Sequence, residues 1–361
     1  MRVLVALSGG VDSSVAAALL ADEGHELVGL TMKNWCYGET DGDDRSCCSL
    51  ESIEAARAVA DRLGFRHYMA DFEEPFARHV IRPFVQDYLA GRTPNPCVEC
   101  NSKVRFPGLW EKARAFGCDA VATGHYARLD PGVTPPAIRR AVDLGKDQSY
   151  MLWGIPGDVR ARLRLPLGDL EKSRVRELAE ERGLSTARRP DSQEICFVPD
   201  GDYGGFLDRK AAGEAALAPG PIVTRTGDVV GTHRGVARYT VGQRRGLGVS
   251  LGYPVFVVGL SAGSNEVVVG PEEELVATVA RLRDVTWPAA GGDRLPLLVQ
   301  LRSRHRAAAA RVTRQPEGGA RVEFEEPQRA ITPGQSAVFY EGDRVVGGGI
   351  VADFSGTSRE G

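Results

Sequence analysis

The sequence predicts an α/β chain: a parallel-sheet domain at the amino end, a small central module, and an antiparallel β-barrel at the carboxyl end. Three observations predict it. Short apolar runs alternate with amphipathic stretches through the first half; the segment Ala211 to Pro221 is rich in Ala, Gly and Pro; and beyond it the apolar runs are Val-rich and separated by Gly, Pro and Asp. The corresponding divisions are 1–204, 205–275 and 276–361, in keeping with two or three domains for 361 residues.

Taken in order, Arg2 to Leu7 reads as a buried strand, Ser14 to Glu23 as a helix and Glu26 to Met32 as a second strand. Ser49 to Leu63 has helical spacing and stops at Gly64, Tyr68 to Asp71 resumes the strand pattern, and Pro75 to Ala90 reads as a helix. A helix over Val104 to Phe116, a strand at Ala120 to Thr123 and a helix over Leu170 to Arg182 complete the first domain. Strands joined by helices lie parallel through crossovers, so ligand chemistry is expected at their carboxyl ends. Later strands are read at Val255 to Gly259, Glu266 to Val269, Leu297 to Leu301, Ala320 to Phe324 and Ser336 to Tyr340.

Hydrophobic residues at 42% and charged residues at 26% exclude collagen, wholesale disorder and a coiled coil as accounts of the whole chain. No run approaches membrane-spanning length, and Val3 to Leu7 is too short for a signal sequence, so a cytoplasmic chain with no membrane partner is expected. Lys and Arg at 45 against Asp and Glu at 48 give a net charge of -3, so any nucleic-acid partner must meet a local basic surface. The seven cysteines, at 36, 47, 48, 97, 100, 118 and 196, are an odd number without a secretion signal. That pattern fits metal or thiol chemistry better than a disulfide scaffold, with Cys118 read as a small buried apolar residue.

Ser8-Gly9-Gly10-Val11-Asp12-Ser13-Ser14 lies between the first strand and the first helix, where backbone N–H groups and a helix amino end can surround an anion. The glycines permit close approach, the serines add hydroxyl donors, and Asp12 would repel phosphates unless it holds a divalent cation, which implies Mg2+. No Lys follows a glycine as in a Walker loop. Thr93 to Asn101 places Cys97 and Cys100 three residues apart in a proline-stiffened loop just before a helix, where thiol pKa values fall, and Cys196 lies far away in Pro190 to Phe197.

The seven-residue string resembles the PP-loop of ATP pyrophosphatases, the adenine nucleotide alpha-hydrolase-like fold. Together with Met32 to Trp35, Thr93 to Asn101, Gly124 to Arg128, Lys146 to Tyr150, the segment ending at Cys196, and Gly242 to Leu247, it resembles the tRNA-specific 2-thiouridylases of MnmA type. The resemblance implies conversion of the wobble uridine of tRNA to 2-thiouridine with ATP and a persulfide sulfur from a relay protein or cysteine desulfurase. Replacing a carbonyl oxygen by sulfur needs a leaving group, which adenylation supplies, and a sulfur nucleophile.

By the same resemblance, Ala6, Leu7, Ser8, Gly9, Gly10, Val11, Asp12 and Ser13 hold the nucleotide, while Met32 and Gly124 border the adenosine. Cys196 carries the persulfide and Cys100 releases its sulfur, leaving a disulfide between them. Asn95, Pro96 and Cys97 face the target base. Lys146, Asp147 and Gln148 meet the tRNA, with His125, Arg302, Arg304 and Gln335 as further contacts. One position departs: many members have Asp where this chain has Cys97, and that Asp is their general acid or base.

Three alternatives stay open. Cys97, Cys100 and Cys196 could hold an iron–sulfur cluster that delivers sulfide. A PP-loop amide-forming ligase would share the nucleotide loop but have no use for Cys100 and Cys196. A noncatalytic metal-containing RNA-binding protein would release no pyrophosphate.

Overall fold

The computed structural model describes residues 1–35, 50–191, 195–287 and 292–355. The expected thiols Cys36, Cys47 and Cys48 lie outside the described residues. The chain divides into two compact units: residues 1–80, 97–201 and 343–345, and residues 81–96, 202–342 and 346–361.

The first unit opens with β1 (Arg2–Ala6), α1 (Val11–Asp22), β2 (Glu26–Lys33), α2 (Leu50–Leu63), β3 (Arg66–Asp71) and α3 (Glu73–Phe76). The chain then passes through α4 (Arg82–Leu89) of the second unit and returns with α5 (Pro96–Glu99) and α6 (Phe106–Ala115). After these come β4 (Ala120–Ala122), the hairpin β5 (Arg128–Asp130) and β6 (Ala137–Arg139), α7 (Gly157–Arg160), β7 (Leu163–Arg164) and α8 (Lys172–Glu181).

The strands of its sheet run in the order β3-β2-β1-β4-β7, all parallel. The order reverses between β1 and β4, the kind of switch point at which open α/β sheets leave a crevice outside the carboxyl ends of the strands. The Ala-rich α1 is buried on most of its circumference: Ala17 and Leu20 pack with Val3 and Val5 of the sheet, while Val15, Ala16 and Ala18 pack with Val175 and Leu178 of α8. Small side chains allow that double contact, and each fully buried Val or Leu contributes about 1.5–3 kcal/mol.

The second unit adds α9 (Tyr203–Lys210), β8 (Gly220–Thr224), β9 (Val229–His233), β10 (Phe256–Ser261) and β11 (Glu266–Gly270). These four strands form a sheet ordered β10-β11-β8-β9, whose apolar face packs with Val85, Tyr88 and Leu89 of α4 and Leu207 of α9. Phe84 and Phe206 meet edge to face with ring centroids 5.9 Å apart. Then follow β12 (Val276–Thr286), β13 (Arg294–Gln300), β14 (Ala308–Arg314), β15 (Ala320–Arg329), β16 (Ser336–Glu341) and β17 (Arg344–Ser355). They pair as β12-β15-β14-β13-β16-β17, and β17 pairs back to β12, closing a six-stranded antiparallel barrel. Closure leaves no edge strand, and its interior is filled by Val, Ala and Phe side chains such as Val299, Val312, Val322 and Phe339.

The predicted α/β class, with its parallel sheet and carboxyl-terminal barrel, is the observed one. Three local expectations differ. The first helix starts at Val11, not Ser14, because Gly10 takes the extended N-cap conformation. The stretch bearing Cys97 and Cys100 is helical, running through α5 and a π-helical turn (Cys100–Arg105) into α6. Pro96 begins that helix instead of stiffening a loop, since its missing N–H is harmless at a first helical position. In the central sheet β8 and β11 are parallel, against the expected antiparallel pattern.

Candidate functional site

Residues Leu7 to Gly10 connect β1 to α1 at the crevice. Leu7 is held by N–H donation to Leu30 O at 2.9 Å and by Thr31 Oγ1 donating to Leu7 O at 2.8 Å. Gly9 has φ +73°, and a Cβ there would stand 2.2 Å from the Ser52 carbonyl oxygen, so only glycine fits between loop and α2. The first-turn amides of α1 have no intrahelical acceptor, and with the helix dipole they form an anion seat. The sequence leads one to expect Ser13 and Ser14 to donate to phosphates. Their hydroxyls instead donate to Gly10 O at 3.1 and 2.8 Å, and Ser8 N donates to Ser13 Oγ at 3.2 Å. The serines brace the loop, and the Gly9 and Gly10 amides have no acceptor among the described residues.

Gly124 follows β4 on the other side of the crevice. A Cβ at this position would lie 2.6 Å from Asp12 C and from Ser13 N. Met32 is buried near the end of β2, the other neighbour of β1. The residues from Ala6 to Ser13, Met32 and Gly124 therefore gather at the carboxyl ends of three adjacent strands.

Asp12 is tied down by residues that the sequence did not single out. Its Oδ1 accepts from Lys172 Nζ at 2.6 Å and from Tyr126 Oη at 2.7 Å. Burial and the Asp12 charge push the Tyr126 hydroxyl pKa upward, so it stays a proton donor. Lys172 also pairs with Asp191 Oδ1 at 2.9 Å, and Asp191 is shared with Lys146 at 2.7 Å and Arg176 at 2.7 Å. Burial opposes the Asp191 charge, but the hydrogen bonds from Lys146 and Lys172 outweigh it and hold the pKa at about 2. Arg189 donates from Nη1 to Gly9 O at 2.8 Å and from Nη2 to Glu51 at the start of α2. Tyr126 and Asp191 fell inside stretches quoted for the resemblance; Lys172 and Arg189 carried no signal, since Lys172 sits among the charged residues of a polar helix and Arg189 lies beyond that helix in a short Arg188-Arg189-Pro190 stretch.

The thiols are placed through Phe76. Phe197, next to Cys196, meets Phe76 edge to face with centroids 5.7 Å apart. The helical turn that ends in Phe76 packs against the π-helical turn that begins at Cys100. The segments bearing Cys100 and Cys196 thus adjoin a common element in the first unit. Cys97 and Cys196 are half-buried and Cys100 is 5% exposed. Cys118 is a buried free thiol, and burial raises its pKa. Among the described residues no three His, Cys, Asp or Glu side chains gather as ligands for a metal ion. Cys97, Cys100 and Cys196 are not so gathered. Asp12 fits the usual magnesium pattern of one or two carboxylates completed by substrate phosphates.

The residues expected to face tRNA divide between the units. In the first unit, His125 is half-buried; burial and then the Arg105 charge lower its pKa to about 3. Arg105 Nη1 lies 3.4 Å from Nε2, which leaves Nδ1 to donate to Thr123 Oγ1 at 2.8 Å. Asp147 is 6% exposed and accepts from Arg140 Nη1, Ala141 N and Ser149 Oγ, so it shapes its loop. Gln148 Oε1 accepts from Tyr126 N at 2.9 Å, and Lys146 is engaged with Asp191. In the second unit, Asn95 is half-buried and Pro96 buried, Arg302 donates to Ala330 O, and Arg304 is exposed. Gln335 donates to Thr93 O at 2.8 Å.

Residues 1–200 match the family described as tRNA methyl transferase HUP domain, residues 206–271 the tRNA methyl transferase PRC-barrel domain, and residues 278–351 the aminomethyltransferase beta-barrel domain. The chain is 48% identical over 357 residues to a tRNA-specific 2-thiouridylase MnmA of Geobacter metallireducens, covering 97% of this chain and 96% of that protein. It is 45% identical over 354 residues to the protein of that name from Heliobacterium modesticaldum, covering 97% and 92%. It is 46% identical over 359 residues to that of Symbiobacterium thermophilum, again covering 97% and 92%.

Proposed function

Because this chain belongs to the tRNA-specific 2-thiouridylase MnmA family, we propose that it is an ATP-dependent tRNA-uridine 2-sulfurtransferase. The observation that carries the reading is end-to-end similarity at 48% identity, spanning both the nucleotide loop and the thiol segments. The uridine O2 is adenylated, pyrophosphate leaves, and sulfur then displaces AMP at C2 of the wobble uridine. A ligase without thiol chemistry would leave the paired Cys100 and Cys196 segments unexplained.

The geometry of the site supports the following residue roles. The amides around Gly9 and Gly10 and the amino end of α1 hold the phosphates, with Met32 and Gly124 beside the adenosine. Mg2+, held by Asp12 together with the phosphates, would supply charge neutralisation during adenylation. Cys196 carries the persulfide and Cys100 attacks its inner sulfur. The persulfide S–S bond breaks as the Cys100–Cys196 disulfide forms, and the outer sulfur leaves with the electron pair as hydrosulfide to attack C2, from which AMP departs. Support for this pairing is that both cysteine segments adjoin the Phe76 helical turn. The sulfur comes from a persulfide relay protein or a cysteine desulfurase, and we place the reaction in the cytoplasm. Among the described residues no helix is long and apolar enough to cross a membrane.

The test is mass analysis of nucleosides after incubation with ATP, a persulfide source and unmodified tRNA. Exchange of one oxygen for sulfur at the wobble uridine is expected; unchanged nucleosides from active, persulfide-loaded protein overturn the reading.

A further inference from the structure

The Gly9 carbonyl oxygen faces a guanidinium, with Arg189 Nη1 at 2.8 Å, across 180 residues of sequence. A peptide unit is planar, and in the trans form its C=O and N–H point to opposite sides. The Gly9–Gly10 peptide is not among the cis bonds. Holding the Gly9 oxygen on the Arg189 side therefore aims the Gly10 N–H to the other side of the loop. No acceptor for that N–H is present among the described residues.

We propose that Arg189 is a positioning residue of the nucleotide loop: by anchoring the Gly9 carbonyl, it fixes the Gly10 N–H toward the phosphates of the bound nucleotide. Two further contacts fit this role. Gly9 lacks a side chain and has φ +73°, so nothing local in the loop prevents its peptide from flipping. The other arm of Arg189 reaches Glu51, on the same helix whose Ser52 carbonyl closes over Gly9, so loop and helix share one clamp. A guanidinium suits this better than an ammonium, because its rigid fork can donate to two acceptors in fixed directions.

The inference rests on the nucleotide reading above, and binding in Mg2+-containing buffer without tRNA tests it without turnover. Inorganic pyrophosphate and AMP are titrated into wild-type, R189M and R189K proteins, and the amide 15N–1H resonance of Gly10 is followed without ligand. Expected is a roughly tenfold loss of pyrophosphate affinity in R189M, AMP affinity within about twofold of wild type, and a displaced Gly10 resonance. R189K, with one directed donor, falls between. Unchanged pyrophosphate affinity in both variants, or parallel loss of pyrophosphate and AMP affinity, overturns the role of Arg189. Should R189M not fold, R189K alone decides by the same two outcomes. Wild-type protein that binds neither probe overturns the nucleotide reading itself, and this inference with it.

Discussion

Lys172 Nζ stands 2.6 Å from Asp12 Oδ1, although 160 residues separate them in the chain. Lys172 is 11% exposed and Asp12 33%, so the pair is only partly reached by water. Removing one partner leaves the other charge uncompensated beside the anion seat. K172M should lose about 1–3 kcal/mol of stability, and D12N/K172M should lose less than the sum of the two single changes. Urea unfolding of the four proteins measures this coupling; strict additivity would show that the pair does not interact.

Gln335 fastens the residues leading into Pro96 by donating to Thr93 O at 2.8 Å and Pro94 O at 3.3 Å. Q335A should cost about 0.5–1.5 kcal/mol in denaturant unfolding. If Gln335 acts only through this bond, tRNA affinity at a temperature well below unfolding will stay near wild type.

C196S should reduce thiolation to background while pyrophosphate release in the presence of tRNA persists, because adenylation does not involve that sulfur. Quench-flow measurement of pyrophosphate and thionucleoside separates the steps. Full thiolation by C196S would remove the persulfide mechanism.

Asp191 gives a pH prediction with a definite sign. Its folded pKa of about 2 lies below the ordinary 3.8, so its contribution to stability is complete above pH 3.8 and is lost as pH falls through about 2. The charges facing it are Lys146, Lys172 and Arg176. D191N should flatten the fall in stability over that window by about 1–2 kcal/mol. Acid titration of melting temperature reads it, and an equal fall in both proteins would refute the assignment.

Arg302 and Arg304 should behave differently despite their proximity. Both are exposed, but Arg302 is committed to the Ala330 carbonyl, whereas Arg304 makes no hydrogen bond or ion pair among the described residues. If Arg304 meets a tRNA phosphate, R304A should reduce the slope of log affinity against log salt by about 1. R302A should chiefly lower stability. Binding at several salt concentrations distinguishes the two.

What was legible in the sequence was local. Gly9, Gly10 and the apolar periodicity beyond them announce a strand, an anion loop and a helix within about twenty residues, and the late Val-rich runs announce the barrel. Lys172 and Arg189 were not legible because their partners, Asp12 and Gly9, come from the other end of the first unit, and a charged side chain on a polar helix or in a turn looks solvated until the fold is known. The thiol stretch was misread for a local reason: Pro94 and Pro96 suggested a loop, yet a proline also opens a helix well. The parallel pairing of β8 with β11 is a long-range choice that no strand signal contains.

If Gly124 and Met32 border the adenosine as proposed, the seat of Gly124 constrains attempts to broaden nucleotide use. Since a methyl group there would collide with the backbone of Asp12 and Ser13, variants selected for an enlarged purine analogue should keep position 124 invariant. Their compensating changes should fall on the opposite wall, around Met32, where a side chain can shrink without displacing the loop.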